Sequence, residues 1–149
     1  MFAPRPTVAI GEMLRVLKPG GRIAFSTWPP ELVIGRFFDL INAYLPPMAG
    51  VPPSSLWGDV QVVRERLGAG VANIEFHREE LFIPALSPSH YRAQLESTAG
   101  PIIKLVQMLA DQPQKLATFR SELDQIVAPY FQKNRVRQSF LMTRARKLN

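Results

Sequence analysis

Residues 12–28 read Glu12-Met13-Leu14-Arg15-Val16-Leu17-Lys18-Pro19-Gly20-Gly21-Arg22-Ile23-Ala24-Phe25-Ser26-Thr27-Trp28. Ile10, Met13, Leu14 and Leu17 recur at helical spacing, and Pro4 and Pro6 suit a helix entrance, where a missing amide hydrogen does no harm. The spacing predicts a helix from about Pro6 to Leu17. Pro19 holds its own φ where a turn needs it and Gly20 tolerates a positive one, so the chain reverses there and enters a strand from Arg22 to Trp28. Ile23, Phe25 and Thr27 share one side of that strand, and Ala24, Ser26 and Trp28 the other. The lack of charge after Arg22 predicts a strand covered on both faces, and a helix-turn-strand unit of this kind belongs to an α/β sheet.

Working outward, Pro29-Pro30 stops the strand, and Ile34, Phe37, Phe38, Ile41 and Leu45 form an apolar stripe on a helix of about three turns that should pack on the sheet. Pro46 to Ser55 holds four prolines and a glycine and reads as a loop. Asp59 is placed to cap a short helix through Leu67, with Gly68 as its stop. Val71 to Phe76 is strand-like; His77 to Glu80 reads as a polar turn, after which Leu81 to Ile83 either continues as strand or bends away. Ser87-Pro88 opens a helix carrying Tyr91 and Leu95 that breaks at Gly100-Pro101. Ile102 to Leu109 and a longer helix from near Pro113, with Leu116, Phe119, Leu123, Ile126, Val127 and Tyr130, complete a helical cap over residues 87–131. Val136 to Thr143 closes the fold as a strand, with Val136, Phe140 and Met142 on one side and Leu141 on the other. The expectation is a single α/β domain over residues 1–149.

An apolar share of 46% in 149 residues supports one real core. With no cysteine and two separate histidines, neither a disulfide framework, a thiolate nucleophile nor a zinc site is expected. No leader pattern opens the chain and no apolar run is long enough to span a bilayer, so the expected setting is cytoplasmic. The net charge of +6 comes from the tail: Lys133, Arg135, Arg137, Arg144, Arg146 and Lys147 occur after residue 132 with no acidic residue among them. A strand followed by a solvated end explains them, and without stacking aromatics or a recognised motif they are not read as a nucleic-acid site.

The run from Glu12 to Trp28, and above all Arg15-Val16-Leu17-Lys18-Pro19-Gly20-Gly21 at a helix end, closely resembles the fourth helix and fifth strand of class I S-adenosylmethionine-dependent methyltransferases, the small-molecule type that includes quinone-biosynthesis enzymes. The order of later elements is similar to that family's second half. The resemblance implies a Rossmann-like fold represented by its C-terminal half: three strands in the order fifth, seventh, sixth, the last antiparallel to its neighbours. It implies S-adenosylmethionine as cofactor and a small, apolar methyl acceptor. In that family a glycine-rich turn after the first strand holds the cofactor, because only glycine lets the backbone approach so closely. The one comparable pattern here, Gly68-Ala69-Gly70, follows a helix and enters a strand, the reverse of the required context. The chain is therefore expected to be a truncated methyltransferase, inactive alone and lacking its N-terminal half.

By position, Met1, Phe2 and Ala3 match the end of the family's fourth strand, and Thr27 and Trp28 the end of the fifth. Ligands of open α/β sheets sit beyond such ends, which makes Phe2, Thr27 and Trp28 candidates for the acceptor pocket. His90 is a candidate base for a phenolic acceptor, with an exposed first-turn histidine as the alternative. Tyr91 is a candidate stacker, with an amphipathic core residue as the alternative. No catalytic, cofactor-binding or metal-binding residue is assigned. The competing expectation is a non-catalytic, oligomerising interaction module on the same fold remnant. Either way the Arg22–Trp28 strand presents an open edge, which predicts a homodimer.

Overall fold

The structure is a computed structural model that describes residues 1–46 and 49–148. Its elements run α1 (Pro6–Arg15), β1 (Arg22–Thr27), α2 (Val33–Tyr44), α3 (Val60–Leu67), β2 (Val71–Pro84), α4 (Pro88–Thr98), α5 (Gly100–Met108), α6 (Pro113–Val127), β3 (Phe131–Gln132) and β4 (Arg135–Lys147). The four strands form one open sheet in the order β1-β4-β2, with β3 paired to β4. β4 runs antiparallel to β1, with Arg22 opposite Arg146 and Thr27 opposite Leu141. Its direction against β2 follows from the ends: Leu148 N–H donates to Gly70 O, and Ala85 N–H donates to Asn134 O, each at 3.0 Å. The last strand thus lies between two earlier ones and opposes both, the order that the family resemblance implies and that periodicity does not give. Pro47 and Met48, in the expected Pro46–Ser55 loop, lie outside the described residues; the end of that stretch forms a 3-10 turn, Ser54–Trp57.

The chain divides into two compact units, the second comprising Val33–Pro46 and Glu80–Gln138 and the first the rest of the described chain. In the first, Lys18-Pro19-Gly20-Gly21 forms the expected turn. Gly20 has φ +71° and Gly21 N–H donates to Lys18 O at 2.8 Å, the geometry in which Pro and Gly hold the two central positions. A Cβ on Gly21 would lie 2.8 Å from Lys18 O, so that position also requires glycine. The core of this unit gathers Ile10 of α1, Ile23 of β1, Trp57, Val63 and Leu67 of α3, Val71 and Ala145. Asp59 caps α3 by accepting from Gln61 N–H (2.9 Å) and Val62 N–H (3.0 Å), and Gly68 at φ +57° ends it.

The second unit gathers Val33, Phe37 and Ile41 of α2 with Tyr91, Ile102, Leu105, Leu109, Phe119, Leu123, Val127 and Val136. The α2 stripe therefore meets the helices of residues 87–131 as well as strand β4, where the sequence suggested the sheet alone. Phe37 tilts against Tyr91, and Tyr44 meets Phe119 edge-on. Fully burying each such side chain is worth ~1.5–3 kcal/mol.

Other expectations are corrected. β2 is continuous from Val71 to Pro84 with no turn at His77–Glu80. Its charges are accommodated across strands: Arg137 of β4 pairs with Glu80 at 3.2 Å, and the Arg135 guanidinium lies 4.4 Å above the Phe82 ring, so a solvated strand face replaces a turn. β1 is not covered on both faces; Ile23, Phe25 and Thr27 turn inward while Arg22, Ala24 and Ser26 are exposed. The residues buried on β4 change parity, Val136 and Gln138 first, then Leu141, Thr143 and Ala145, so no single alternation describes that strand. Nor is the basic tail a solvated end. Arg144 to Lys147 stay in β4, and Lys147 is held by three hydrogen bonds: N–H to Gly21 O (2.8 Å), Nζ to Leu17 O (2.7 Å), and its carbonyl from Gly20 N–H (3.1 Å). The short β3–β4 hairpin, unforeseen in the sequence, turns through Lys133 (φ +50°) and Asn134 (φ +55°), both left-handed as a two-residue hairpin turn requires.

A polar network ties α4 to α6. Glu96 accepts from Arg92 Nη1 (2.7 Å), Arg120 Nε (3.0 Å) and Arg120 Nη2 (2.7 Å), while Arg92 Nε donates to Asp124 (2.9 Å). Burial pushes the Glu96 carboxyl up, but the hydrogen bonds and charges of Arg120 and Arg92 prevail and hold it below the usual carboxylate range. Its side chain is only 14% exposed, so Glu96→Gln should lower stability by about 1–3 kcal/mol in urea denaturation. Glu12→Gln, in the exposed Arg15 pair, should lie near zero. Because the Glu96 contribution is present above the ordinary carboxylate pKa and lost as pH falls through its depressed folded value, the Glu96→Gln deficit should shrink in acid.

Candidate functional site

The carboxyl end of β1 is where the sequence placed the acceptor pocket. Thr27 ends the strand and is only 3% exposed, so it presents little surface to a ligand. Its Oγ1 has no hydrogen-bond partner, and neither has Oγ1 of Thr143, which is 0% exposed. The register puts Phe25 opposite Thr143 and Thr27 opposite Leu141, so the two threonines are diagonal neighbours on the inward face. Trp28, next along, is half-buried and meets Phe140 of β4 edge-on, ring centroids 6.2 Å apart. Phe2 belongs to the same unit and is 70% exposed.

What holds this strand end in place was not foreseen. Trp57 is buried edge-on against Phe25, and the Arg66 guanidinium lies 5.2 Å from the Trp57 ring centre. At Gly58 the backbone runs so close to the Trp28 carbonyl that a Cβ would overlap it. Only glycine permits that approach. Its sequence signal was slight: Trp57-Gly58-Asp59 reads as the run-in to a capped helix, with nothing to indicate that it touches β1. Phe140 and Thr143 were equally hidden, because a strand pattern names faces but not neighbours.

His90 and Tyr91 fall in the second unit, apart from the unit of Phe2, Thr27 and Trp28. His90 N–H donates to Ser87 Oγ (3.0 Å), and His90 Nδ1 accepts from Leu86 N–H (2.9 Å). This reciprocal arrangement closes the N-terminus of α4 in the manner of a capping box. It engages Nδ1 in capping. Tyr91 is a core residue, 2% exposed, whose hydroxyl accepts a hydrogen bond from the buried Gln138 amide. Burial pushes its phenol up to about 12, the Gln138 bond opposing this only partly.

Chemically, the strand end offers aromatic surface and buried hydroxyls. Among the described residues no group of three or more His, Asp or Glu side chains is placed to hold a metal, and no helix is long and apolar enough to cross a membrane. Gly68-Ala69-Gly70 does not have the setting of the glycine-rich turn that holds S-adenosylmethionine in the resembled family. Gly68-Ala69-Gly70 forms a 3-10 turn between α3 and β2, so no strand leads into it and no helix N-terminus leaves it to receive a ligand.

Two substitutions check these placements. Gly58→Ala should destabilise by about 1–3 kcal/mol or more, while Gly11→Ala, at a helical site with nothing within 4 Å of the added carbon, should be neutral or stabilising. Tyr91→Phe should lower stability by about 1–3 kcal/mol by leaving the Gln138 amide unpaired. The wild type should lose stability between pH 10 and 12, where the unfolded tyrosine ionises and the folded one does not, and Tyr91→Phe should lack that share of the alkaline slope in denaturation curves.

No family model matches the chain. Two uncharacterized proteins of Mycobacterium tuberculosis (strain ATCC 25618 / H37Rv), Rv1403c and Rv1405c, are each 30% identical to it over 149 residues, 99% of this chain and 54% of theirs. The uncharacterized protein Mb1438c of Mycobacterium bovis (strain ATCC BAA-935 / AF2122/97) is similar to the same extent. The chain spans about half the length of the curated relatives it matches.

Proposed function

We propose that residues 1–149 are the acceptor-side part of a class I S-adenosylmethionine-dependent methyltransferase for a small, apolar acceptor, and that they do not transfer a methyl group by themselves. The observation that carries this reading is topological. A helix, a Pro-Gly-Gly turn and a strand lead into a sheet whose last strand inserts antiparallel between two earlier ones, an arrangement compatible with the Rossmann-like second half that the sequence resembles. Because Gly68-Ala69-Gly70 lacks the strand-to-helix setting of a cofactor loop, this reading assigns the cofactor contacts to sequence outside residues 1–149.

In this reading the acceptor wall is built from Phe2 and Trp28, with Phe140 bracing Trp28 from β4 and Thr27 behind them. Flat aromatic surface holds an apolar acceptor and excludes water, and orientation can serve the reaction without a strong acid or base. His90 and Tyr91 support the fold of the helical unit in their capping and core positions. A second reading, a non-catalytic module that forms a homodimer, is favoured by one observation: among the described strands β1 is paired to β4 alone, leaving its other edge without a strand.

Calorimetry with S-adenosylmethionine and its demethylated product should show no saturable binding to residues 1–149. Transfer of labelled methyl groups to small phenolic or fatty acyl acceptors should appear only when a cofactor-binding front half is supplied, and should fall with Trp28→Ala. Tight, stoichiometric binding by this chain alone would overturn the assignment of the cofactor site elsewhere. A defined dimer in light scattering, with no transfer under any front half, would overturn the enzyme reading in favour of the module.

A further inference from the structure

The strongest unassigned feature lies on the exposed face of the β1–β4 ladder in the first unit. Alternate residues share a face, and the register sets Arg22 directly opposite Arg146 and Ala24 opposite Arg144. The three arginines, with Ala24 between them and Asn73 and Glu75 of β2 alongside, line a depression of about 470 Å³.

Several arginines elsewhere pair with acids, Arg15 with Glu12, Arg78 with Glu31, Arg92 and Arg120 with Glu96, and Arg137 with Glu80, and Arg64, Arg66 and Arg135 lie over aromatic rings. Among the described residues, the Arg22 and Arg144 side chains have no hydrogen-bond or ion-pair partner, and the Arg146 side chain donates from Nε to Gly20 O at 3.1 Å. Like charges directly opposite each other in an antiparallel pair are destabilising, and Arg22 and Arg146 are such a pair, with Arg144 two residues along the same face. Glu75 offsets one of them, and its carboxylate is also 3.7 Å from His77.

We infer that Arg22, Arg144 and Arg146 form a binding site for a soluble, phosphate-bearing small molecule. The lining carries two net positive charges, matching a phosphate dianion. Planar guanidinium forks bind tetrahedral oxyanions through paired hydrogen bonds, which ammonium groups do not. The small Ala24 side chain leaves space at the centre of the three. The depression has an acid, Glu75, and no aromatic in its lining, so it suits a compact ligand better than the stacked bases of a nucleic-acid strand. This site does not depend on the methyltransferase reading.

Inorganic diphosphate serves as the probe, titrated into residues 1–149 at low salt and followed by thermal melting and amide NMR shifts. The expected result is saturable stabilisation with shifts centred on Arg22, Ala24, Arg144 and Arg146. Arg144→Gln should melt at or above the wild type without anion, since a repelling charge is gone, yet bind diphosphate roughly tenfold or more weakly, the equivalent of one charge-assisted contact. Arg146→Lys, which keeps charge but loses the fork, should also bind more weakly. Absence of saturable stabilisation, or affinity unchanged in both variants, would overturn the site. Binding to vesicles containing phosphatidic acid without response to diphosphate would overturn the soluble ligand. Tighter binding of a short DNA duplex, with the steep salt dependence of counterion release, would overturn the small ligand.

Discussion

The first unit depends on the six-residue ladder between Arg22–Thr27 and Leu141–Arg146 and on the turn that locks its end. Lys147 holds the Lys18-Pro19-Gly20-Gly21 turn from both its backbone and its side chain, with its ammonium on the carbonyl of Leu17 just past α1. That position also sets a cation beside the negative end of the helix dipole. One register therefore places Ile23 and Ala145 in the core, brings Phe140 against Trp28 and turns three arginines outward. A slip of one residue would exchange every side chain between faces. The last strand of the chain thus fixes the surroundings of the first.

The second unit solves a different problem. Its helices have apolar stripes that bury one another, and their remaining polar groups are satisfied by specific partners: Glu96 between two arginines, Tyr91 with Gln138, Tyr44 with Glu122. Buried polar groups left unpaired cost about 1–3 kcal/mol each, so these contacts specify one arrangement of the bundle as well as stabilising it. His90 belongs to the same economy, capping α4 together with Ser87. The two unpaired hydroxyls, Thr27 and Thr143, occur instead in the first unit, at the strand end to which the proposed acceptor wall is assigned.

Local signals proved legible where one residue's own chemistry decides the backbone. Pro19 with Gly20, Asp59 with Gly68, and Ser87 with Pro88 mark a turn and three helix limits because each acts on its immediate neighbours. The misreadings share a different cause. The charged run His77–Glu80 contains no turn former, but its strand character rests on partners such as Arg137, 57 residues away. Of the candidate site residues, the structure puts Phe2, Thr27 and Trp28 in one unit and His90 and Tyr91 in the other, a division that no spacing along the chain could reveal.

The sequence by itself determined the element types, the Pro-Gly-Gly turn and the apolar stripes, because propensity, capping and periodicity act within a few residues. Only the tertiary structure decided that Arg144 to Lys147 stay in the central strand, that Gly58 meets Trp28, and that Arg22, Arg144 and Arg146 share one depression. These are contacts between residues far apart in the chain. They arise from the pairing register and from the competition between burial and backbone hydrogen bonding over the whole fold, which one strand's alternation cannot express.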